Sequence, residues 1–321
     1  METKEFKTLD EQVEILKNKG LTIVDNDYTK EVLLRENYFF LNGYRHLFLK
    51  PDNKKNFLPG VRFEEVYSLF LFDRTLRNII FKYLLVIENN LKSITSHVLS
   101  KKYGFKEKEY LKSKNFTTDP LRQRQVSDLI SKMKRQIRIN GSQHSATEHY
   151  TSHYGYIPMW ILVKVLSFGI VSELFSILKE ADQKEIAKIY NVEVEDLINY
   201  LPMLANYRNL CAHEDILYQN RTQKEIDNTV FHKLLKIPKD EEGVYKYGKN
   251  DLYALIIILK QMLRKEDFSN LISEIDNALS ALSYNLLSIK VDAVIDRMGF
   301  PHNWKDISNI ERSVEENEKT E

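Results

Sequence analysis

The chain has 321 residues, of which 43% are hydrophobic and 29% charged, and its formal net charge is +1. This composition allows a large core and excludes the polar, strongly charged class of disordered proteins. The single cysteine, Cys211, excludes an intramolecular disulfide, and the first residues lack the apolar stretch of a secretory signal, so we expect a cytoplasmic protein. The longest apolar runs, residues 159–171 and 252–259, are too short for a bilayer, so we expect no membrane span.

Glycine and proline are scarce, and the apolar residues recur at helical spacing, which predicts an all-α fold. Near the start, Thr8 and Glu11 have the spacing of a capping box, so we expect a short helix that ends near Gly20. A second helical stretch is predicted over residues 28–49. A loop over residues 51–60 follows it.

One long or gently broken helix is predicted over residues 63–103, because this segment contains neither glycine nor proline and its apolar residues recur mostly three and four positions apart. Within it, Glu88 lies beside Ile87 and Leu91, so we expect this carboxylate to be partly buried. It is either a structural partner for a cation or a residue that supports a functional site.

Later segments of the chain add further helices and one weak strand candidate at residues 244–247. The predicted helices span residues 160–178, with Gly169 allowing close packing, and residues 182–190, 252–263 and 271–294. These patterns divide the chain into an N-terminal helical extension, a helical core, C-terminal helices packed on the core, and an acidic tail. The expected boundaries are 1–60, 61–230, 231–305 and 306–321.

Three arginines are followed by a histidine five or six residues later, at positions 138–144, 208–213 and 297–302. Turn residues interrupt the first and third pairs, and only the middle pair lies in a continuous helical pattern. We expect Pro202 in the first turn of that helix, which is predicted to run for about three turns.

The middle pair combines Arg208, Asn209 and His213, and its residue types suit metal-independent RNA cleavage. Histidine can move the protons of the reacting hydroxyls, and a permanent cation can stabilise the charge that develops on phosphorus. On a helix Asn209 and His213 share a face, whereas Arg208 lies about 140° away from His213. A long arginine or a second protomer could complete the site. The alternative is a surface ion pair with Glu214 or Asp215.

Other arrangements of reactive residues are weaker. The histidines 144, 149 and 153, with Glu148, include a pair four residues apart, but a clear fourth zinc ligand is lacking, and we expect no metal. Cys211 and His213 point to nearly opposite sides of a helix, which favours a packing cysteine over a nucleophile. The chain has no glycine-rich phosphate loop, and we expect no cofactor.

Residues 101–138 carry twelve lysines and arginines against four acids, a net charge of +8. This segment could follow an RNA backbone, with Tyr103, Phe105, Tyr110 and Phe116 available to stack on bases. The alternative is a solvated helix face. The candidate RNA-binding side chains are Lys101, Lys102, Arg122, Arg124, Lys134, Arg135 and Arg138.

Several segments, in this order, resemble bacterial abortive-infection proteins of the AbiD/AbiF type. They are residues 39–45 (FFLNGYR), 72–77 (FDRTLR) leading to 87–88 (IE), 158–169 (PMWILVKVLSFG), 207–213 (YRNLCAH) and 298–301 (MGFP). The resemblance covers residues 35–305. It implies a member of the HEPN superfamily, helical ribonucleases whose motif has four to six residues between an arginine and a histidine.

The resemblance implies a HEPN-like helical bundle with N- and C-terminal elaborations, acting in phage defence or a toxin–antitoxin-like system. It also implies a homodimer in which two copies of the motif form one composite site, in association with a small structured RNA. We expect His213 to transfer the proton, Arg208 to bind the phosphate and Asn209 to orient one of them, with Arg221 as a further phosphate contact.

Many relatives have a second polar residue, often histidine, after the motif histidine. In this chain that position is Glu214, which lowers the local positive potential. Two other functions stay open on the sequence. One is an RNA-binding module that cuts no strand, and the other is a helical subunit that interacts with another protein.

Overall fold

The computed structural model of the protein describes residues 5–311, and all its regular elements are helices. The all-α prediction is therefore confirmed. The helices are α1 (Leu9–Asn18), α2 (Asn26–Glu36), α3 (Tyr38–Asn42), α4 (Phe63–Tyr103), α5 (Glu107–Tyr110), α6 (Gln123–Asn140), α7 (Ser145–Tyr154), α8 (Met159–Val165), α9 (Phe168–Ser176), α10 (Glu180–Tyr190), α11 (Val194–Ala212), α12 (Val230–Leu234), α13 (Leu252–Met262), α14 (Lys265–Ser283) and α15 (Val291–Met298). Short 3₁₀ helices lie at Arg45–Phe48, Ser113–Asn115, Pro120–Arg122 and Trp304–Asn309.

Helix α4 is the scaffold of the fold, with the bounds that the sequence predicted. Its 41 residues correspond to a length of about 60 Å at 1.5 Å per residue. Helices α8, α9, α10, α11 and α14 pack along it. Helix α13 is buried around almost its whole circumference, as its apolar composition predicted.

The N-terminal helices confirm the capping box and correct the second helix. The Thr8 hydroxyl accepts a hydrogen bond from the Glu11 amide at 3.3 Å, and the Glu11 carboxylate accepts one from the Thr8 amide at 2.7 Å. The helical stretch predicted over residues 28–49 is divided into shorter helices, and its first break is at Asn37. This residue has a φ of 67°, and its side chain caps α3 by accepting a hydrogen bond from the Phe39 amide at 2.8 Å.

Two other predicted helices are each divided in two. The helix predicted over residues 160–178 is interrupted at Leu166 and Ser167, where Ser167 caps α9. A side chain added at Gly169 would meet only the Ser167 hydroxyl, at 4.0 Å, so this glycine is not required for close packing.

The helix predicted over residues 271–294 ends at Ser283 and resumes as α15. The carboxylate of Glu65 on α4 accepts hydrogen bonds from the Leu287 and Ser288 amides, both at 2.7 Å, which holds the intervening segment in a non-helical form. The strand candidate at residues 244–247 forms one isolated bridge, between Lys239 and Tyr245.

The predicted acidic tail, residues 306–321, is only partly described. Its first residues belong to the 3₁₀ helix Trp304–Asn309, in which Ile307 is fully buried, so this part is not a solvated tail. Residues 312–321 lie outside the described part of the chain. Among residues 5–311, no helix is both long and apolar enough to cross a membrane. The domain boundaries at 60, 230 and 305 stay a prediction.

Candidate functional site

Helix α11 carries the Arg208–His213 motif and is longer than the sequence predicted. It begins at Val194, so Pro202 lies inside the helix and not in its first turn. The proline lacks an N–H for the helical ladder, but it lies on the exposed side, where water can satisfy the carbonyl that its ring leaves free.

The helix ends at His213 through a Schellman motif. The Asp215 amide donates to the Leu210 carbonyl at 3.2 Å, and the Glu214 amide donates to the Cys211 carbonyl at 3.5 Å. This geometry requires a left-handed residue after the cap, and Glu214 supplies it with a φ of 57°. His213 is therefore the C-cap residue that follows Ala212, and its side chain is exposed.

The loop after the motif is fastened to α4 by Asp73, which is fully buried. Its carboxylate accepts hydrogen bonds from the Leu217 amide at 3.0 Å and from the Tyr218 amide at 2.7 Å. It also accepts one from the Tyr44 hydroxyl at 2.7 Å and pairs with Arg77 at 2.6 Å. Burial raises the pKa of Asp73, whereas the charge of Arg77 and the hydrogen bonds of Leu217, Tyr44 and Tyr218 favour the ionised carboxylate. These contacts fix the position of the chain next to His213.

Arg208 leaves α11 on another side and pairs with α4. Its Nε donates to Glu88 Oε2 at 3.2 Å, while Lys92 Nζ donates to Glu88 Oε1 at 2.7 Å. The guanidinium also lies over the Phe81 ring, 5.7 Å from its centroid. Glu88 is buried, so the prediction of a buried carboxylate that pairs with a cation is confirmed. One of its two cations is the motif arginine itself.

His213 lines a cleft of about 510 Å³ between the end of α11, α3 and α4. The cleft is also lined by two largely exposed phenyl rings from α3, Phe39 at 75% and Phe40 at 52% exposure. Arg45 and His46 also line the cleft. The pKa of His46 is lowered by partial burial and by the positive charges of Arg45, Arg297 and Lys54.

Another arginine that lines this cleft, Arg74, is paired with a carboxylate. Two of its nitrogens donate to Glu36, at 3.0 and 2.6 Å, and its guanidinium lies 4.7 Å from the centroid of the Phe70 ring. Glu214 is a more distant partner, with 3.9 Å between the charged atoms. The cleft thus combines apolar ring surface with charged groups of both signs.

The three motif residues do not converge within one chain. Asn209 is exposed, His213 faces the cleft, and Arg208 is directed toward Glu88 and Phe81 on α4. This separation agrees with the angle that helical geometry predicts for residues five positions apart.

Cys211 is buried, and burial raises the pKa of its thiol to about 12. A thiol in this environment stays protonated at neutral pH and is a poor nucleophile, which confirms the prediction of a packing role. Among the described residues, no group of three or more histidine, cysteine and acidic side chains could hold a metal ion.

The proposed phosphate contact Arg221 is an exposed residue with two backbone partners. Its guanidinium donates to the carbonyls of Asn220 and Arg297, both at 3.0 Å. It therefore links the loop after the motif to the end of α15. Its use as a phosphate ligand stays a prediction.

The predicted basic side chains are distributed over several elements. Lys101 is exposed, whereas Lys102 forms an ion pair with the buried Asp182. Arg122 is half-buried and donates to Gln125 Oε1 and Ser176 Oγ. The remaining four lie exposed on α6: Arg124, Lys134, Arg135 and Arg138.

Two of the aromatic residues expected to stack on bases cannot do so. Tyr110 and Phe116 are buried, and their apolar rings belong to the core. Tyr103 is half-buried and donates its hydroxyl to Asp182 at 2.6 Å. Only Phe105 of this set exposes a large part of its ring.

A family model described as Abi-like protein matches residues 31–219. The match contains α4, α11, the motif and every residue named above as lining the cleft. No curated protein and no solved structure matches the chain. Since the family model covers more than half of the 321 residues, the chain belongs to the family of Abi-like proteins.

Proposed function

We propose that this protein is a metal-independent endoribonuclease of the AbiD/AbiF type, built on a HEPN-like core, that acts in phage defence. Membership of the Abi-like family supports the defence role. The proposal of catalysis rests on the position of His213. Its exposed imidazole lies at the end of α11, on a cleft that could hold a nucleotide. A pocket of this size, with ring surface and a few polar groups, suits a small planar ligand.

In the proposed reaction the RNA supplies its own nucleophile. The 2′-hydroxyl oxygen attacks the adjacent phosphorus while His213 takes its proton, and the bond from phosphorus to the 5′-oxygen breaks. His213 then gives this proton to the leaving 5′-oxygen, and the products are a 2′,3′-cyclic phosphate and a 5′-hydroxyl. Arg208 stabilises the extra negative charge on phosphorus, and Asn209 orients the phosphate or the imidazole.

We propose that two chains form the active site together. Arg208 and His213 lie on different sides of α11, so a symmetric dimer that joins two copies of α11 could set the arginine of one chain beside the histidine of the other. A small structured RNA could bind outside this site and hold or release the dimer.

The test is cleavage of end-labelled total bacterial RNA by purified protein in the presence of EDTA. We expect wild-type protein to create cyclic-phosphate ends, and His213→Ala and Arg208→Ala to lower the rate at least ~10²-fold, the scale of a lost acid–base or electrostatic contribution. His302→Ala, which changes an exposed histidine outside the cleft, is the matched control and should retain the wild-type rate.

A His213→Ala protein that cuts at the wild-type rate would overturn the assignment. RNA that co-purifies with the protein, in a salt-sensitive manner and without new ends, would indicate the RNA-binding module instead. A stable complex with a protein and no affinity for RNA would indicate an interaction subunit.

A further inference from the structure

Seven aromatic side chains form one continuous surface where α4 and α7 end and α8 begins. Each ring lies 4.5–6.3 Å, centroid to centroid, from at least one other member of the set. We call this set the aromatic surface. Its members are Phe105, His149, Tyr150, His153, Tyr154, Tyr156 and Trp160.

Much of this ring area faces solvent. Tyr154 is 56% exposed, Trp160 43% and Phe105 41%. Neighbouring rings are tilted by 33–58° along the row from Trp160 through Phe105 and Tyr156 to Tyr154, so the row does not close into a single stack. Large exposed aromatic patches cost hydration free energy and mark binding surfaces in soluble proteins.

Positive charge lies within and beside the aromatic surface. Lys106 Nζ is 5.8 Å from the Phe105 centroid and 5.2 Å from the Tyr156 centroid. Helix α6, which packs against α7 and α8, exposes Lys134, Arg135 and Arg138 on its last two turns. Proteins bind single-stranded nucleic acid with two components, exposed rings that stack on bases and cations that contact the phosphates. Both components are present here.

We propose that the aromatic surface and the exposed basic face of α6 form a binding site for single-stranded RNA, separate from the cleft of His213. Bases stack on the exposed rings of Phe105, Tyr154 and Trp160, and Lys106 and the α6 cations neutralise the phosphates. Paired RNA does not fit this site, because its bases are already stacked inside a helix. The inference rests on the proposed function for the identity of its ligand.

The position of this site suggests its role. Arg74 lines the cleft near the start of α4, whereas Phe105 follows its last residue, so the two sites are separated by about 40 Å along a helix that rises 1.5 Å per residue. The aromatic surface would therefore hold a part of the RNA remote from the scissile bond. This determines which RNA is captured and leaves the chemistry to His213.

The chain contains its own reporter for this site. Of its two tryptophans, Trp160 is exposed and Trp304 is 2% exposed, so stacking of a base on Trp160 would quench emission over a constant background from Trp304. The probe is a fluorescently labelled, unstructured RNA of about 10 nucleotides, a length within the range that single-strand-binding folds cover. The experiment uses the full-length His213→Ala protein, so that RNA is not cut during the titration.

We expect saturable quenching of tryptophan emission that parallels binding measured by anisotropy and that weakens as salt rises. Tyr154→Ala and Trp160→Ala should each weaken binding by about 5- to 150-fold, the effect of one lost base-stacking contact. Tyr284→Ala, which removes an 85% exposed tyrosine on the C-terminal side of α14, is the matched control and should bind like its parent. Circular dichroism checks that each variant is folded.

Binding that leaves tryptophan emission and both ring variants unchanged would overturn the inference, because the RNA would then lie elsewhere. Equal affinity for a duplex of the same length, or no binding by any oligonucleotide, would overturn it as well. Quenching by RNA together with no cleavage by the wild-type protein would support this site and contradict the proposed ribonuclease. The two proposals can therefore fail separately.

Discussion

At the residue scale, glutamate is an unusual residue for position 214, directly after the C-cap of α11. It follows the candidate catalytic histidine, has a left-handed backbone, and adds a negative charge where an RNA phosphate would approach. Glycine is the usual residue at this point of a Schellman motif because it lacks a Cβ that would crowd the backbone. Glu214 thus combines a strained backbone with a negative charge, and substitutions can measure the two effects separately.

Glu214→Gly should stabilise the fold by roughly 1 kcal/mol, the cost of a left-handed conformation for an ordinary residue. Glu214→Gln keeps the strained backbone and removes only the charge. The loss of the 3.9 Å contact between Glu214 and Arg74 should change the stability little, because this contact is exposed to solvent. Both variants should bind RNA more tightly at low salt. Urea unfolding and RNA titrations measure the two effects, and a glutamine variant as stable as the glycine variant would contradict the strain argument.

At the scale of elements, Glu88 joins α4 to α11. Its carboxylate is shared between Lys92 of its own helix and Arg208 of the motif, so the cation that we assign to phosphate binding is also a structural partner. This dual role restrains Arg208 until RNA or a second chain offers it another anion. The cost of losing the carboxylate is set by Lys92, which is only 8% exposed.

Glu88→Gln should destabilise the protein by about 3 kcal/mol, because it leaves the charge of Lys92 buried without a counter-charge. The double variant Glu88→Gln with Lys92→Met removes both charges and should recover part of that loss. Urea unfolding of the wild type and the two variants gives the free energies. A double variant less stable than the single one would show that the Lys92 charge is not the source of the penalty.

Helix α12 depends on a buried neutral histidine. His232 Nδ1 accepts a hydrogen bond from the Thr229 amide at 3.0 Å, and its Nε2 lies 2.8 Å from the Gly248 carbonyl, which assigns the proton to Nε2. Burial lowers the pKa of His232 below its usual 6.5, and the charge of Lys249 lowers it further. The folded protein therefore resists a proton that the unfolded chain accepts.

It follows that His232 contributes its full stability above pH 6.5 and loses it as the pH falls from 6.5 to the lowered pKa of the folded state. Thermal unfolding measured between about pH 8 and about pH 5.5 should show this loss of stability in the wild type. The loss should be smaller in His232→Gln, because the glutamine amide can make both hydrogen bonds and does not titrate. Asp251 beside Gly248, with a pKa that burial raises to about 6, titrates in both proteins and cancels in the comparison. Equal pH dependence in the two proteins would exclude His232 as the source.

At the scale of the whole molecule, the sequence predicted the structural features that depend on local residue spacing. It failed to predict those that depend on contacts between residues distant in the chain. Helix α4 was predicted to the residue because its apolar spacing is uninterrupted. The break after Ser283 was not, since it depends on Glu65, more than 200 positions earlier in the chain. In the same way, helical geometry separated Arg208 from His213, but nothing local indicated that Phe39 and Phe40 would line the same cleft as that histidine.

The separation of Arg208 from His213 leads to a test of the whole assembly. If each active site takes its arginine from one chain and its histidine from the other, an Arg208→Ala chain and a His213→Ala chain can complement each other. Their heterodimer contains one site with both residues intact and one with neither. Neither variant alone has a complete site.

Mixing the two inactive variants under conditions that allow subunit exchange should therefore restore RNA cleavage. Random exchange makes roughly half of the dimers heterodimers, and each heterodimer has one intact site out of two, so we expect the recovered activity to be at most about a quarter of that of the wild type. The control is each variant mixed with a copy of itself, which should stay inactive. A site contained within one chain would predict no recovery at any mixing ratio, since every chain in the mixture would still lack either its arginine or its histidine.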